Sequence, residues 1–207
     1  MDALVKKPTI IYAESTPNPA SMKFVANRFL VENGATAQYL TKEETQGSPL
    51  AAELFNFPFI KAVFLAANFV TITKTESVYW EDVTLELRDF LRIYISEGNA
   101  IINELPKTEM PIDNTFTQKK EVFTEHTAPV SEIEVKIVEI LEQYIRPAVE
   151  GDGGSITFTS FIDGVVTVQM RGACSGCPSS TITLKAGIEG LLKRMIPEVK
   201  EVIAEAM

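Results

Sequence analysis

From Asn99 to Pro129 the chain reads NAIINELPKTEMPIDNTFTQKKEVFTEHTAP, a stretch with prolines, charges of both signs and no sustained hydrophobic period. A run like this has no apolar face to bury, so the 207-residue chain cannot be built around one continuous core. The organisation it predicts is two small α+β domains, residues 1–98 and 131–207, joined by a flexible linker at 99–130. A flexible coil of about 30 residues has an end-to-end distance of about 30 Å, enough for the domains to move independently.

In the first domain, IIYAE and MKFVANRFLV read as strands, the second alternating Met22, Phe24 and Ala26 toward one face after the turn STPNP. SPLAAELFNF is predicted to open a short helix, with Ser48 as N-cap and Pro49 at the first helical position. KAVFLAANFVTITK reads as a hairpin turning at Ala67-Asn68, with Val63, Leu65, Val70 and Ile72 on one face. EDVTLELRDFLRIYISEG spaces Val83, Leu87, Phe90, Leu91 and Tyr94 as a helix that stops at Gly98, and Tyr79 and Trp80 are expected to anchor its start in the core.

The second domain opens with SEIEVKIVEILEQYIRP. Ile133, Ile137, Ile140, Leu141 and Tyr144 form a helical stripe, Ser131 and Glu134 a capping box, and Pro147 is expected to end the pattern. SITFTSFIDGVVTVQMRG reads as two strands around an Asp163-Gly164 turn, with Val166, Val168 and Met170 inward. STITLKAGIEGLLKRMIP follows as a helix with Ile182, Leu184, Ile188, Leu191, Leu192 and Met195 on its apolar face, and KEVIAEAM as a candidate edge strand. The order is helix, strand, strand, helix, then that strand.

Formal charge is −9 and no Lys/Arg stripe interleaves with aromatics, which argues against nucleic acid as a ligand. No apolar run approaches the roughly 18 residues of a membrane span. The start, MDALVKKPTIIYAES, lacks the h-region of a secretory signal and the Arg-rich, acid-free character of an organelle presequence. The expected setting is intracellular, the cytoplasm of a bacterium first and a processed mitochondrial form second.

Both cysteines of the chain, Cys174 and Cys177, lie in RGACSGCPSS between the last strand of the hairpin and the following helix. Unpaired N–H groups of a helix's first turn favour negative charge, so an exposed pair of thiolates with lowered pKa is expected there. Gly172 and Gly176 would let the backbone approach a bulky ligand, and Pro178 would set the helical φ of the next turn. One chain lacks the four ligands of a structural zinc site. It also lacks the four thiolates of an iron–sulfur cluster, so a [4Fe–4S] cluster would have to be shared between two copies. A thioredoxin-like redox pair is the alternative from another class. Against it, the preceding strand belongs to a tight hairpin and is not expected to start a βαβ unit, and little chain follows to add strands. Two thiols that merely pack fit poorly with flanking Ser, Gly and Pro.

Across YIRPAVEGDGGSITF and DGVVTVQMRGACSGCPSSTITLKAGIEGLLKRMIPEVKEV, the chain resembles the C-terminal domain of NifU, the module shared by Nfu-type iron–sulfur scaffold proteins. Residues 10 to 98 are similar to the Nfu N-terminal domain through STPNPASMKF, SPLAAELFNFPFIKAVF, NFVTITK and YWEDV, departing at Phe57-Pro58-Phe59 and Ala66-Ala67-Asn68, where glycine turns are common. The resemblance implies that Cys174 and Cys177 ligate a [4Fe–4S] cluster between two protomers, that a homodimer forms when it is loaded, and that the cluster passes to apo iron–sulfur proteins. It implies no metal ligand in the first domain, whose role would be contact with recipient or assembly proteins.

Other residues carry weaker signals. Gly151, Gly153 and Gly154 read as a tight turn in preference to a phosphate loop, because no Gly-Lys-Ser/Thr follows. His126 reads as an exposed linker histidine. Arg171 and Lys185 lie near the cysteines and read either as counter-charges to a cluster or as solvated surface. No nucleophile–base pair or paired carboxylates indicate an enzyme.

Overall fold

The computed structural model describes residues 8–31, 34–105, 126–175 and 178–206, the side chains of 178–181 and 206 excepted. The first domain is a five-stranded antiparallel sheet, β1 (Ile11–Ser15), β2 (Ser21–Ala26), β3 (Thr36–Tyr39), β4 (Ile60–Ala66) and β5 (Phe69–Lys74), in the order β1-β2-β5-β4-β3. Two helices, α1 (Pro49–Leu54) and α2 (Trp80–Ser96), share one core with one face of it. Registers align Ala13, Phe24, Val70, Leu65 and Ala37 across all five strands on that face. Leu50, Leu54, Leu87 and Leu91 meet them, all fully buried.

Local chemistry accounts for the element ends. Ser48 Oγ accepts from the Ala51 amide at 3.2 Å and donates to the Ile101 carbonyl at 2.7 Å, capping α1 and holding the chain that leaves α2. The β4–β5 hairpin puts Ala67 at φ 40°, the left-handed region that a glycine enters freely. Gly98, at φ 79°, turns the chain out of α2. Strand β3 and the 3-10 turn Lys42–Gly47 carry no clear periodic signal and were missed, while Asn27 to Val31 leave the sheet where a strand was expected. Tyr79 is exposed; only Trp80 of the expected pair packs on the core, its Nε1 donating to the Pro19 carbonyl at 3.0 Å.

The second domain begins with α3 (Glu132–Ile140), capped by the expected Ser131/Glu134 box. Pro147 does not end the helix. A π-helical turn over Leu141–Ile145 shifts the hydrogen bonding, and α4 (Arg146–Gly151) then takes the proline near its start, where its missing N–H leaves nothing unpaired. The shift also turns Tyr144 outward, half exposed. Strands β6 (Gly154–Ile162) and β7 (Val165–Gly172) pair as an antiparallel hairpin, with Asp163 and Gly164 both at positive φ, 53° and 89°. Helix α5 (Pro178–Met195) follows, and β8 (Glu201–Ala206) returns parallel to β7.

This parallel return overturns one expectation: β7, α5 and β8 do form a βαβ unit. The β7–β8 crossover is closed by Ile196 and Val199 in the core and by the Gly164 carbonyl, which accepts from the Lys200 amide at 2.7 Å. Val166, Val168 and Met170 are buried as read, with Ile188 and Leu192 beneath α5. Ile182 and Met195 are exposed, so the apolar face of α5 is narrower than its spacing suggested.

The stretch read as linker is described at its two ends. Asn103 and Glu104 donate to the Gly47 carbonyl, and Thr127 donates to the Phe158 carbonyl. Residues 106–125 lie outside the described residues.

Candidate functional site

Strand β7 ends at Gly172, whose φ of 71° swings the chain into a 3-10 turn over Ala173–Ser175 before α5 begins. A Cβ at Gly172 would lie 2.7 Å from the Gly153 carbonyl and 2.8 Å from Phe64, so glycine serves a close backbone approach here; the object approached is protein. Ser175 Oγ closes the turn on the Gly172 carbonyl at 2.9 Å. Cys174 points into the second domain's core beside Gly154, where a Cβ would come within 2.8 Å of its sulfur.

The expectation of an exposed, acidified thiol fails for Cys174. It is 4% exposed, and burial, with a smaller contribution from the Asp152 carboxylate, pushes its pKa up to about 11. Gly176 and Cys177 lie outside the described residues. Beside Cys174 is a cavity of about 570 Å³ whose walls include Pro17 and Asn18 of the first domain and Ile145, Asp152 and Ile188 of the second.

The first domain thus reaches the cysteine loop, and does so with the sheet face that carries no helix. On that face one cross-strand row runs Glu14, Lys23, Thr71, Phe64, Gln38. Lys23 Nζ, paired with Glu14 at 3.2 Å, donates to the Gly151 carbonyl at 3.3 Å. Thr71 Oγ1 donates to the Gly153 carbonyl at 2.7 Å. Gln38 Oε1 accepts from the Gly172 amide at 2.7 Å. Beyond the row, Asn18 Nδ2 donates to the Ala173 carbonyl at 3.2 Å, and Arg171 approaches Thr36 Oγ1 at 3.5 Å. These first-domain residues were missed by sequence reasoning. A signal existed in AVFLA of β4, where Phe64 stands between Val63 and Leu65, because an unbroken apolar run marks a strand buried on both faces.

Other candidates move. Gly153, at φ 81°, is the tight turn expected, and Thr71 occupies the space its side chain would need. Arg171 is buried under the first domain with Gln169 Oε1 at 2.9 Å, while Lys185 is paired with Glu201 at 3.7 Å. His126 is not an exposed linker residue. Its Nδ1 accepts from the Phe158 amide at 2.7 Å, which leaves Nε2 to face Glu142, a carboxylate also held by Arg146 at 2.7 Å. Among the described residues no three His, Cys, Asp or Glu side chains converge as a metal site.

The family description "Scaffold protein Nfu/NifU N terminal" matches residues 11–98, and "NifU-like domain" matches residues 137–203. A "NFU1 iron-sulfur cluster scaffold homolog, mitochondrial" of Drosophila persimilis is 34% identical over 202 residues, covering 98% of this chain and 67% of that protein. The chain belongs to the Nfu/NifU scaffold family. "NifU-like protein 4, mitochondrial" of Arabidopsis thaliana is 35% identical over 97% of this chain and 67% of its own length. This Nfu/NifU chain spans about two thirds of the length of such relatives, 63% in the case of Drosophila ananassae. A solution structure of a NifU-like protein from Saccharomyces cerevisiae covers half of this chain at 22% identity and TM-score 0.42, too slight a likeness to build on.

Proposed function

We propose that the protein is an iron–sulfur cluster scaffold and carrier, not an enzyme, that holds a [4Fe–4S] cluster between two copies of its second domain and passes it to apo-proteins. Cys174 and Cys177 of each copy are the ligands in this reading, and the cluster is cargo. The observation that carries it is the donor count: in a chain of this family, two cysteines, both in one loop, are all the thiols available. A cubane takes four, so one copy supplies half of what is needed. Cys174 lies in the 3-10 turn Ala173–Ser175, between the end of β7 and the start of α5. Relatives named for cluster scaffolding in mitochondria support the same reading and favour a mitochondrial setting.

The rival is a thiol–disulfide oxidoreductase. The βαβ unit removes one argument against it; what stands against it is that the similar proteins are named as cluster scaffolds or NifU-like proteins and not for disulfide exchange. Anaerobic reconstitution with iron and sulfide separates the two. A carrier turns brown, binds about four irons per two chains, elutes as a dimer when loaded, and loses all three properties in Cys174→Ser. A colourless protein that reduces disulfides without metal would sink the carrier reading.

A further inference from the structure

We propose that the helix-free face of the first domain's sheet is a guard surface for Cys174 in the unloaded chain, one that must release before this cysteine can meet a cluster or a second copy of the chain. The inference rests on the carrier reading for what the loop binds, and on geometry alone for the guarding.

One row of side chains, Lys23, Thr71, Phe64 and Gln38, is laid across four adjacent strands and spends its polar atoms on the second domain. Its targets are main-chain groups of the two segments that frame Cys174: the Gly151 and Gly153 carbonyls on one side and the Gly172 amide on the other. Asn18 adds the Ala173 carbonyl, immediately before the cysteine. The glycines make this seating possible, because a side chain at Gly153 would strike Thr71 and one at Gly172 would strike Phe64. Family membership explains a cysteine loop. It does not explain why four first-domain side chains bond to the backbone of the segments that frame Cys174.

Cys174 is 4% exposed and packs with the second domain's core, and the cavity it lines is walled on the other side by Pro17 and Asn18, so the first domain occupies the side from which a second chain would reach it. The guard is also releasable. It is held by side chain to backbone hydrogen bonds, which water replaces at small net cost, and by a small apolar cluster of Val25, Phe64, Ala66 and Phe69, far smaller than the core on the sheet's other face. The covalent connection between the domains keeps the released one close by. Apparent affinity for cargo then falls by the fraction of molecules that remain closed, and whatever draws the first domain away raises it.

The test measures how fast iodoacetamide alkylates Cys174 in the full chain carrying Cys177→Ser, with no iron present. Thr71→Arg, which drives a long charged side chain into Gly153, is expected to speed alkylation at least tenfold. The milder pair, isosteric Thr71→Val with the truncation Gln38→Ala, gives a smaller acceleration and serves if the arginine variant fails to fold. Trp80 fluorescence and the thermal midpoint monitor the first domain. Equal alkylation rates in the parent and in every folded variant overturn the guard. Reconstitution with iron and sulfide, on chains that keep both cysteines, is then expected to run faster in the variants, and equal loading rates also overturn it. Accelerated alkylation with no cluster in any chain supports the guard while rejecting the carrier reading.

Discussion

The two faces of the first domain's sheet differ in what they are packed against. One carries Phe24, Val70, Leu65 and Ala37 against α1 and α2, apolar on both sides and contributed by one domain. The other carries Lys23, Thr71, Phe64 and Gln38 against backbone supplied by residues 82 to 134 positions away. The first contact is made of a large buried area, which is non-directional and costly to reopen; the second combines directed hydrogen bonds, which exchange with water, with the smaller apolar cluster of Val25, Phe64, Ala66 and Phe69. A sheet built like this can keep its fold while giving up a partner. Truncation should tell the faces apart. Phe24→Ala is expected to destabilise the first domain by about 3–5 kcal/mol, seen as a large drop in the denaturant midpoint. Phe64→Ala, read by the same unfolding curve, should cost clearly less and instead raise the alkylation rate of Cys174. Equal losses from the two phenylalanines would erase the distinction between a structural face and a docking face.

The next effect follows from the Cys174 thiol. Burial, with a smaller contribution from Asp152, disfavours the charged thiolate, so the closed form holds its proton up to about pH 11, against an ordinary value near 9. Below about pH 9 the thiol is protonated whether open or closed, and docking is unaffected by pH. Between about 9 and 11 the open form ionises while the closed form does not, and docking weakens by up to about tenfold per pH unit. In a chain carrying Cys177→Ser, ultraviolet thiolate absorbance should titrate near 11, and Thr71→Arg should bring the midpoint down toward 9. A midpoint unmoved by opening the interface would place the cause of the shift within the second domain.

Much of this architecture was legible because it is local. Period-2 alternation in VVTVQM, the Asp163-Gly164 turn, the Ser48 cap and the Ser131/Glu134 box all act within a few residues, and each stands in the structure as read. What was illegible depended on contacts made at a distance. Strand β8 chooses its parallel place beside β7 only after α5 has crossed the sheet, and Pro147 sits within a helix because a π turn upstream changes the hydrogen-bond register. The cysteine pair was found from its type and spacing alone. Its surroundings were misread for one reason: the chemistry of a loop was taken from its own residues, whereas Cys174 packs into the second domain's core and the cavity beside it is walled by Asn18 and Pro17, more than 150 positions earlier.

His126 sharpens the comparison from the second domain's side. It stands just before α3, buried, with its Nδ1 accepting the Phe158 amide of β6 and its Nε2 turned to Glu142, which Arg146 also holds. Replacing it by alanine leaves the Phe158 N–H without its acceptor in a buried place, at a cost of about 1–3 kcal/mol. The loss is expected in the second domain alone, so thermal unfolding should move while Trp80 fluorescence of the first domain keeps its own midpoint. The alkylation rate of Cys174 at low temperature, where both domains stay folded, should remain that of the parent, because the partners of His126, namely Phe158, Glu142 and Arg146, all belong to the second domain. If His126→Ala frees the cysteine as readily as Thr71→Arg does, protection comes from the second domain's own rigidity, and the helix-free face of the sheet is a neighbour of the loop but not its keeper.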